Sequence, residues 1–264
     1  WTTKKGKLVA PGATVAQIDI EAPKLGYQRP VHFPVLGDAK ATAEALLAEL
    51  GASGAKPGRR DDRTRERVRS GDNHHFPHPD ESSTQFIDPR TLSKAVDEIL
   101  PKDRVVASDS GHFCGWVPRY LRVPNAKASC LSHSFQSVGL GLASVIGLAV
   151  ANPGKLAVLG TGDGGFLMSI ADLETAIRLG LQLCILVYND SSYAAEVHYF
   201  RRQGYSIDIV QFPETDFAAI ARGYGARAAT VRTLADLDPV RTWIKEGARG
   251  VFVIDAKVNP DLEA

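Results

Sequence analysis

From Asp88 onward, short β-rich apolar runs alternate with segments of helical periodicity, and this alternation limits the fold more than any other feature of the sequence. Strands are expected at 104–108, 155–160, 183–188, 226–230 and 251–254, with helices at 138–151, 169–179, 216–222 and 234–246. An earlier helix is expected from Asp88-Pro89 to about Leu100, with Asp88 as N-cap and Pro89 in the first helical position. Runs such as Leu183-Cys-Ile-Leu-Val-Tyr188 are apolar without interruption, so such strands need cover on both sides. Residues 88–264 therefore read as an α/β fold, a parallel sheet with helices on both faces. In such sheets, ligands bind beyond the carboxyl ends of the strands.

The preceding residues have a different character. Residues 1–50 hold one apolar run at 14–19, a Pro-rich connection and a helical stretch at 38–50. One strand and one helix cannot bury both their faces, so this is expected to be a fragment of a second α/β domain with more chain upstream. Residues 51–87 pass from glycine-rich sequence through a charge run at 59–69 to His74-His75-Phe-Pro-His78-Pro, and read as a linker with room for a short solvated helix. A metal site on these histidines is disfavoured, because prolines break the spacing and no carboxylate or Cys joins them.

Charge and composition exclude several classes of function. Lys plus Arg number 31 against 30 acidic residues, a net charge of +1, so no bulk attraction to nucleic acid or an anionic membrane exists. An anionic ligand must be held by a local site. Cys114, Cys130 and Cys184 are too few and too scattered for a disulfide framework or zinc cluster, and read as reduced packing residues. No stretch approaches the roughly 20 apolar residues of a membrane span. No signal peptide is visible, and a chain opening on Trp1 is expected to be a piece of a cytoplasmic protein.

The strand at 155–160 runs into Thr161-Gly162-Asp163-Gly164-Gly165-Phe166. Glycines let a backbone turn sharply and bring its N–H groups close to a ligand, and the helix N-terminus that follows favours an anion. A carboxylate within this turn would repel a phosphate unless a divalent cation lay between them, and Mg²⁺ accepts carboxylates together with phosphate oxygens. One strand–helix unit later the chain reads Asn189-Asp190-Ser191-Ser192-Tyr193. Neighbouring parallel strands set their carboxyl ends side by side, so oxygens from Asp163 and from Asn189 or Asp190 can converge on one hard cation. A Gly-Asp-Gly triplet alone is equally a plain turn; joined to the second turn it becomes specific.

The span from Gly162-Asp163-Gly164 to Asn189-Asp190, with the two acids 27 positions apart, resembles the fingerprint of thiamine-diphosphate (ThDP) enzymes, which opens with Gly-Asp-Gly and closes with Asn-Asn. The resemblance covers residues 88–264 and is nearest to the acetolactate synthase-like and 2-oxo acid decarboxylase-like branch. Residues 1–50, through Val35-Leu-Gly-Asp38-Ala-Lys, are similar to the tail of that family's middle domain.

The resemblance implies Asp163, Asp190 and the backbone carbonyl of Ser192 as Mg²⁺ ligands, with Asp190 standing where the family usually has Asn. It implies Gly164 and Gly165 as N–H donors to the diphosphate, Gly165 replacing a frequent Ser, and Tyr193 as a further cofactor contact. Ser110, Gly111 and His112 match the loop covering the diphosphate; His112 is alternatively a helix-start residue facing solvent. The run Ser134-Phe-Gln136-Ser-Val138-Gly139-Leu-Gly141 matches the aminopyrimidine loop, in which Val138 bends the cofactor and the Gln136 carbonyl accepts from its 4′-amino group. The alternative is a glycine-rich start to a buried helix. Glu196 matches a substrate-facing acid of pyruvate decarboxylase-type enzymes, or else pairs with Arg201 or Arg202. Tyr199 stands near the place of an acetolactate synthase Trp, which argues against a strict member of that group.

By the same resemblance, the protein performs ThDP- and Mg²⁺-dependent C–C cleavage or formation on a 2-oxo acid. The glutamate that activates the cofactor is expected from a pyrimidine-binding domain elsewhere in the protein or in another subunit, with a homodimer or homotetramer as the assembly. A decarboxylase, a C–C hydrolase or hydroxyacyl-CoA lyase, and a non-catalytic ThDP-binding relative are alternatives. A nicotinamide dehydrogenase is disfavoured, since no Gly-x-Gly-x-x-Gly follows a strand with an acidic residue at the right distance.

Overall fold

The computed structural model describes residues 8–54, 61–70, 77–131 and 136–263. His74, His75 and Ser134 lie outside them. The chain forms two units, Trp1–Gly71 and Asp72–Ala264.

In the first unit, β1 (Ala16–Asp19) pairs in parallel with β2 (Phe33–Leu36), Ala16 opposite Phe33. The second strand lies in what the sequence presents as a Pro-rich connection; Pro34 is tolerated because this strand is an edge. Helix α1 (Ala39–Ala52) starts at Asp38, whose carboxylate accepts from the Ala41 N–H at 2.9 Å. It has no buried residue and exposes Leu46, Leu47 and Leu50. Helix α2 (Asp62–Ser70) follows.

The second unit runs α3 (Pro89–Ile99), β3 (Arg104–Ser108), α4 (Trp116–Tyr120), β4 (Ser129–Leu131), α5 (Gly141–Ala151), β5 (Leu156–Gly162), α6 (Asp163–Ser169), α7 (Leu173–Arg178), β6 (Leu183–Asn189), α8 (Ala194–Gln203), α9 (Phe217–Tyr224), β7 (Arg227–Val231), α10 (Asp238–Lys245) and β8 (Val251–Lys257). All six of its strands are parallel, in the order β4-β3-β5-β6-β8-β7. Alternate strand residues feed two cores. Val106, Val158, Cys184 and Ile254 pack with Leu92, Trp116 and Trp243 on one face. Val105, Leu159, Ile185 and Val253 pack with Val145, Phe166 and Phe217 on the other. Burial of both faces explains the unbroken apolar strands, and it confirms the expected α/β class. Asp88 caps α3, accepting from the Arg90 N–H at 2.8 Å.

Several boundaries differ from the expected ones. The helix expected from residue 169 begins at Asp163, as α6, and resumes as α7 after a short 3-10 turn at Ile170–Asp172. Gly164 and Gly165 are poor helix formers and mask that first turn; packing of Phe166 on Phe217, ring centroids 5.4 Å apart, overrides propensity. The helix expected from residue 138 begins at Gly141. The short elements α4 and β4 carry too few residues for a periodic signal. No helix among the described residues is long and apolar enough to cross a membrane.

Candidate cofactor site

Strands β5 and β6 are neighbours in register, Gly162 opposite Tyr188, so their carboxyl ends release two turns side by side. Asp163 opens α6 with its side chain almost fully buried. One carboxylate oxygen accepts from the Gly164 N–H at 2.7 Å and the other from the Ser191 N–H, in the second turn, at 2.6 Å. Asp190 is half-buried and accepts from the Ser192 hydroxyl at 2.8 Å. Burial first, and the negative charge of Asp190 second, push the Asp163 carboxyl well above the ordinary carboxylate range. Burial raises Asp190 as well, against the pull of its bonds to Ser192. Ionising both acids without a counter-charge is therefore penalised.

Ser191 adopts φ +58°, a left-handed conformation uncommon for a residue other than glycine. It lets the strand end turn so that its N–H meets Asp163. Ser192 then forms an antiparallel bridge with Gln211, whose two bonds use the carbonyls of Val210 and Ser191, so the Ser192 carbonyl stays outside that ladder. Tyr193 packs edge-on to Phe212, centroids 5.4 Å apart, and lies against α6. A Cβ on Gly164 would come within 2.4 Å of the Tyr193 ring, so any larger residue there must displace the ring.

Asn189 is not the partner of Asp163. Its amide Nδ2 donates to Asp255 at 2.9 Å and to the Thr215 carbonyl at 3.0 Å, beneath the turn. Of the two oxygens the sequence leaves open, that of Asp190 is the one whose charge acts on Asp163.

The loop after β3 contains a residue that sequence reasoning missed. Asp109 is fully buried, and its carboxylate accepts from the N–H groups of Ser110 at 2.7 Å and Gly139 at 2.9 Å, with the Thr161 hydroxyl at 3.4 Å. It fastens the 109–111 loop, the 136–140 loop and the end of β5 together. A Cβ on Gly165 would lie 2.6 Å from its Oδ2. Desolvation raises this carboxyl in spite of those bonds. The available signal was an acid directly after an apolar strand, where a buried carboxylate must find donors.

Ser110 and Gly111 follow in this loop, half-buried. His112 opens a short 3-10 turn but does not face solvent: its Nε2–H donates to the Leu262 carbonyl at 3.1 Å, and its ring tilts onto His198 with centroids 4.6 Å apart. Gln136, at φ +54°, and Val138 are exposed on the loop anchored by Asp109, and Val138 lies beside Gly165. Their loop leads straight into α5, which begins at Gly141 with Leu140 at its N-cap. Glu196 is exposed in the first turn of α8. Arg201 and Arg202 pair with Asp261 and Glu263, which overturns their pairing with Glu196. The charge of Glu196 is instead felt by His112. Two surface concavities, around Lys155, Gln182 and Gly250 and around Asp97, Arg104 and Arg122, lie at the amino ends of the strands, remote from this cluster.

The donor set fits a hard divalent cation: two carboxylates that penalise each other when ionised, together with a nearby main-chain carbonyl. The sequence matches the family described as "Thiamine pyrophosphate enzyme, C-terminal TPP binding domain" over residues 109–256. It is 31% identical over 172 residues to an acetolactate synthase of Bacillus subtilis, covering 64% of this chain and 29% of that protein. To a sulfoacetaldehyde acetyltransferase of Rhodobacter capsulatus it is 25% identical over 276 residues, covering 95% and 46%. Its fold is similar to that of a thiamine diphosphate-dependent 4-hydroxybenzoylformate decarboxylase of Rhodococcus jostii, with a TM-score of 0.66 and 19% identity, covering 96% of this chain and 45% of that one. The chain spans less than half the length of each of these relatives. The family match takes in more than half of the chain and both acidic turns. The chain belongs to the thiamine-diphosphate-dependent enzyme family, of which it carries the C-terminal cofactor-binding domain.

Proposed function

We propose that the protein is a Mg²⁺-dependent ThDP lyase or transferase, acetolactate synthase-like, that cleaves or forms a C–C bond of a 2-oxo acid. The observation that carries this reading is the pairing of Asp163 with the Asp190 turn at adjacent strand ends. A divalent cation shared by Asp163, Asp190 and the Ser192 carbonyl would let both acids ionise and offer its remaining coordination to diphosphate oxygens.

ThDP held here would supply carbanion chemistry toward the carbonyl of a 2-oxo acid and the capacity to take up the electron pair released. This chain's residues bind and orient. Gly165 would donate its N–H to the diphosphate, while the Gly164 N–H is engaged by Asp163 and Gly164 contributes close approach of the backbone, with Ser110, Gly111 and His112 covering the diphosphate and Tyr193 closing the turn. The Gln136 carbonyl and the Val138 side chain would hold the aminopyrimidine. Glu196, exposed and in no ion pair among the described residues, would hold the proton delivered to, or orient, the substrate.

The activating glutamate would come from a pyrimidine-binding domain in the rest of the protein or in another subunit, within a homodimer or homotetramer. Val138, Leu140 and Met168 are exposed beside the cofactor loops, Met168 directly next to Gly139, and support such a covering partner. A cytoplasmic location accompanies this reading.

The test is CO₂ release and product analysis with the full-length protein, ThDP, Mg²⁺ and a panel of 2-oxo acids. Metal-dependent turnover of at least one acid is expected. Absence of both turnover and Mg²⁺-dependent ThDP binding would overturn the reading. A simple 2-oxo acid decarboxylase is the second reading, favoured by the unpaired Glu196 and by Tyr199; an aldehyde product without a condensed one would select it.

A further inference from the structure

Beneath the Asp190 turn lies a charged cluster for which the cofactor reading has no use. Asp255 and Lys257, both on β8, are buried to 0% and 2% exposure, with the Lys257 Nζ 3.0 Å from the Asp255 carboxylate. Lys257 also donates to the Thr215 carbonyl at 2.8 Å and lies 3.3 Å from Glu214. A buried ion pair is weak evidence for stability, because well-packed apolar residues of similar volume serve as well or better. Its place in the sheet offers another role: Lys257 is the register partner of Asn189, the last residue of β6.

The Asp255 carboxylate takes two donors besides the lysine. Oδ1 accepts from Asn189 Nδ2 at 2.9 Å, and Oδ2 accepts from the N–H of Phe217, the first residue of α9, at 3.0 Å. With Thr215 accepting the other Asn189 amide hydrogen at 3.0 Å, only one orientation of the amide satisfies the network. That orientation aims the Asn189 Oδ1 at the Ser191 N–H, 3.3 Å away. The same N–H donates to Asp163. Asp255, Asn189, Ser191 and Asp163 thus form one hydrogen-bonded chain from β8 to the cation ligands.

We propose that Asp255, neutralised by Lys257, is a positioning residue that fixes the left-handed Ser191 turn and so the spacing of Asp163 and Asp190 on the shared cation. This rests on the reading of those two acids as Mg²⁺ ligands for a diphosphate. Carboxylates in this position accept two donors at once, whereas an amide at 255 can accept from one and must turn N–H groups toward the other.

The test compares the full protein with Asp255→Asn and with Asp255→Asn/Lys257→Met, which leaves no orphan charge. Calorimetry gives the Mg²⁺ affinity at saturating ThDP, and the melting temperature of the metal-free protein reports the fold. Loss of a partner of a metal ligand typically weakens metal binding about 10- to 100-fold. A weakening of that size is expected in both variants, including the double variant with its melting temperature retained. Wild-type Mg²⁺ affinity in a folded double variant overturns the positioning role and leaves the ligand assignment standing. Absence of Mg²⁺-dependent ThDP binding in the unsubstituted protein overturns both.

Discussion

The Ser191 N–H donates to the Asp163 carboxylate across 2.6 Å, so the two acidic turns are tied to each other as well as to any ion between them. The consequence is that Asp163 has a structural task, as the acceptor for Ser191 and Gly164, together with its proposed task as a ligand. Asp163→Ala should abolish Mg²⁺-dependent ThDP binding and also destabilise the metal-free protein, by about 1–3 kcal/mol for each buried donor left unsatisfied. Thermal melts with EDTA and with Mg²⁺ plus ThDP separate the effects. A variant that still gains the wild-type melting increment on adding Mg²⁺ and ThDP would remove Asp163 from the ligand set.

Asp190 bears on the pH dependence. Its folded-state carboxyl and that of Asp163 titrate above the ordinary carboxylate value. The sign follows from linkage: below the unfolded value both states are protonated and nothing is lost. As pH rises, the unfolded chain releases its protons first, and the metal-free fold loses stability until the raised values are passed. Each unit of upward shift costs about 1.4 kcal/mol above that point. Asp190→Asn removes one of the two charges. In EDTA it should melt above the parent protein at pH 8 and with it at pH 4, while binding Mg²⁺ more weakly. Melting differences that do not change with pH would contradict the repulsion.

The parts of this fold legible in the sequence are those in which one signal dominates. The strands β3, β5, β6 and β8 stood out because burial of both faces leaves them largely apolar, the half-exposed edge strand β7 because of its short Ala- and Val-containing run, and the two acidic turns because two short motifs are separated by one strand–helix unit. The start of α6 was hidden because Gly164 and Gly165 serve close packing against Tyr193 and Asp109, not local helix propensity. Asp109 and Asp255 were hidden for a related reason. A single acid in sequence carries no mark of the donors that long-range folding brings to it, from Gly139 in one case and from Asn189 and Phe217 in the other. The second strand of the first unit escaped because its Pro34 reads as a breaker, although an edge tolerates it.

The Asp109 contacts predict a substitution whose effect spreads over three loops. Asp109→Ala orphans the Ser110 and Gly139 N–H groups, and at about 1–3 kcal/mol per buried unsatisfied donor the loss should be measurable by urea denaturation. ThDP affinity should fall alongside stability, because the released loops carry Ser110, Gln136 and Val138. Asp109→Asn keeps the shape and one acceptor and should lie between the two. Equal ThDP affinity in all three proteins would mean that these loops do not hold the cofactor.

Gly164 and Tyr193 give a steric test of the same site. Gly164→Ala drives a methyl toward the Tyr193 ring, and overpacking of this kind costs about 1–3 kcal/mol. Tyr193→Ala opens the space, so the double variant should be less destabilised than the sum of the single ones. Such coupling is measured by a double-mutant cycle on urea midpoints. Strict additivity would show that the ring moves freely away from α6.

Glu196 separates chemistry from binding. It is exposed in the first turn of α8, accepts no hydrogen bond and makes no ion pair among the described residues, so Glu196→Gln should leave the melting temperature and the ThDP affinity unchanged. General acid–base groups typically contribute about 10²- to 10⁴-fold, and kcat with the best 2-oxo acid of the panel should fall by an amount in that range. KM should change far less, since the amide keeps the size and much of the hydrogen-bonding capacity of the acid. The neighbouring His112 supplies an internal control. Its ring is held by Leu262 and His198, with no direct bond to Glu196, so the substitution should not disturb the loop after β3. Unchanged kcat would return Glu196 to the status of a surface acid and move the search for the proton donor to the covering domain.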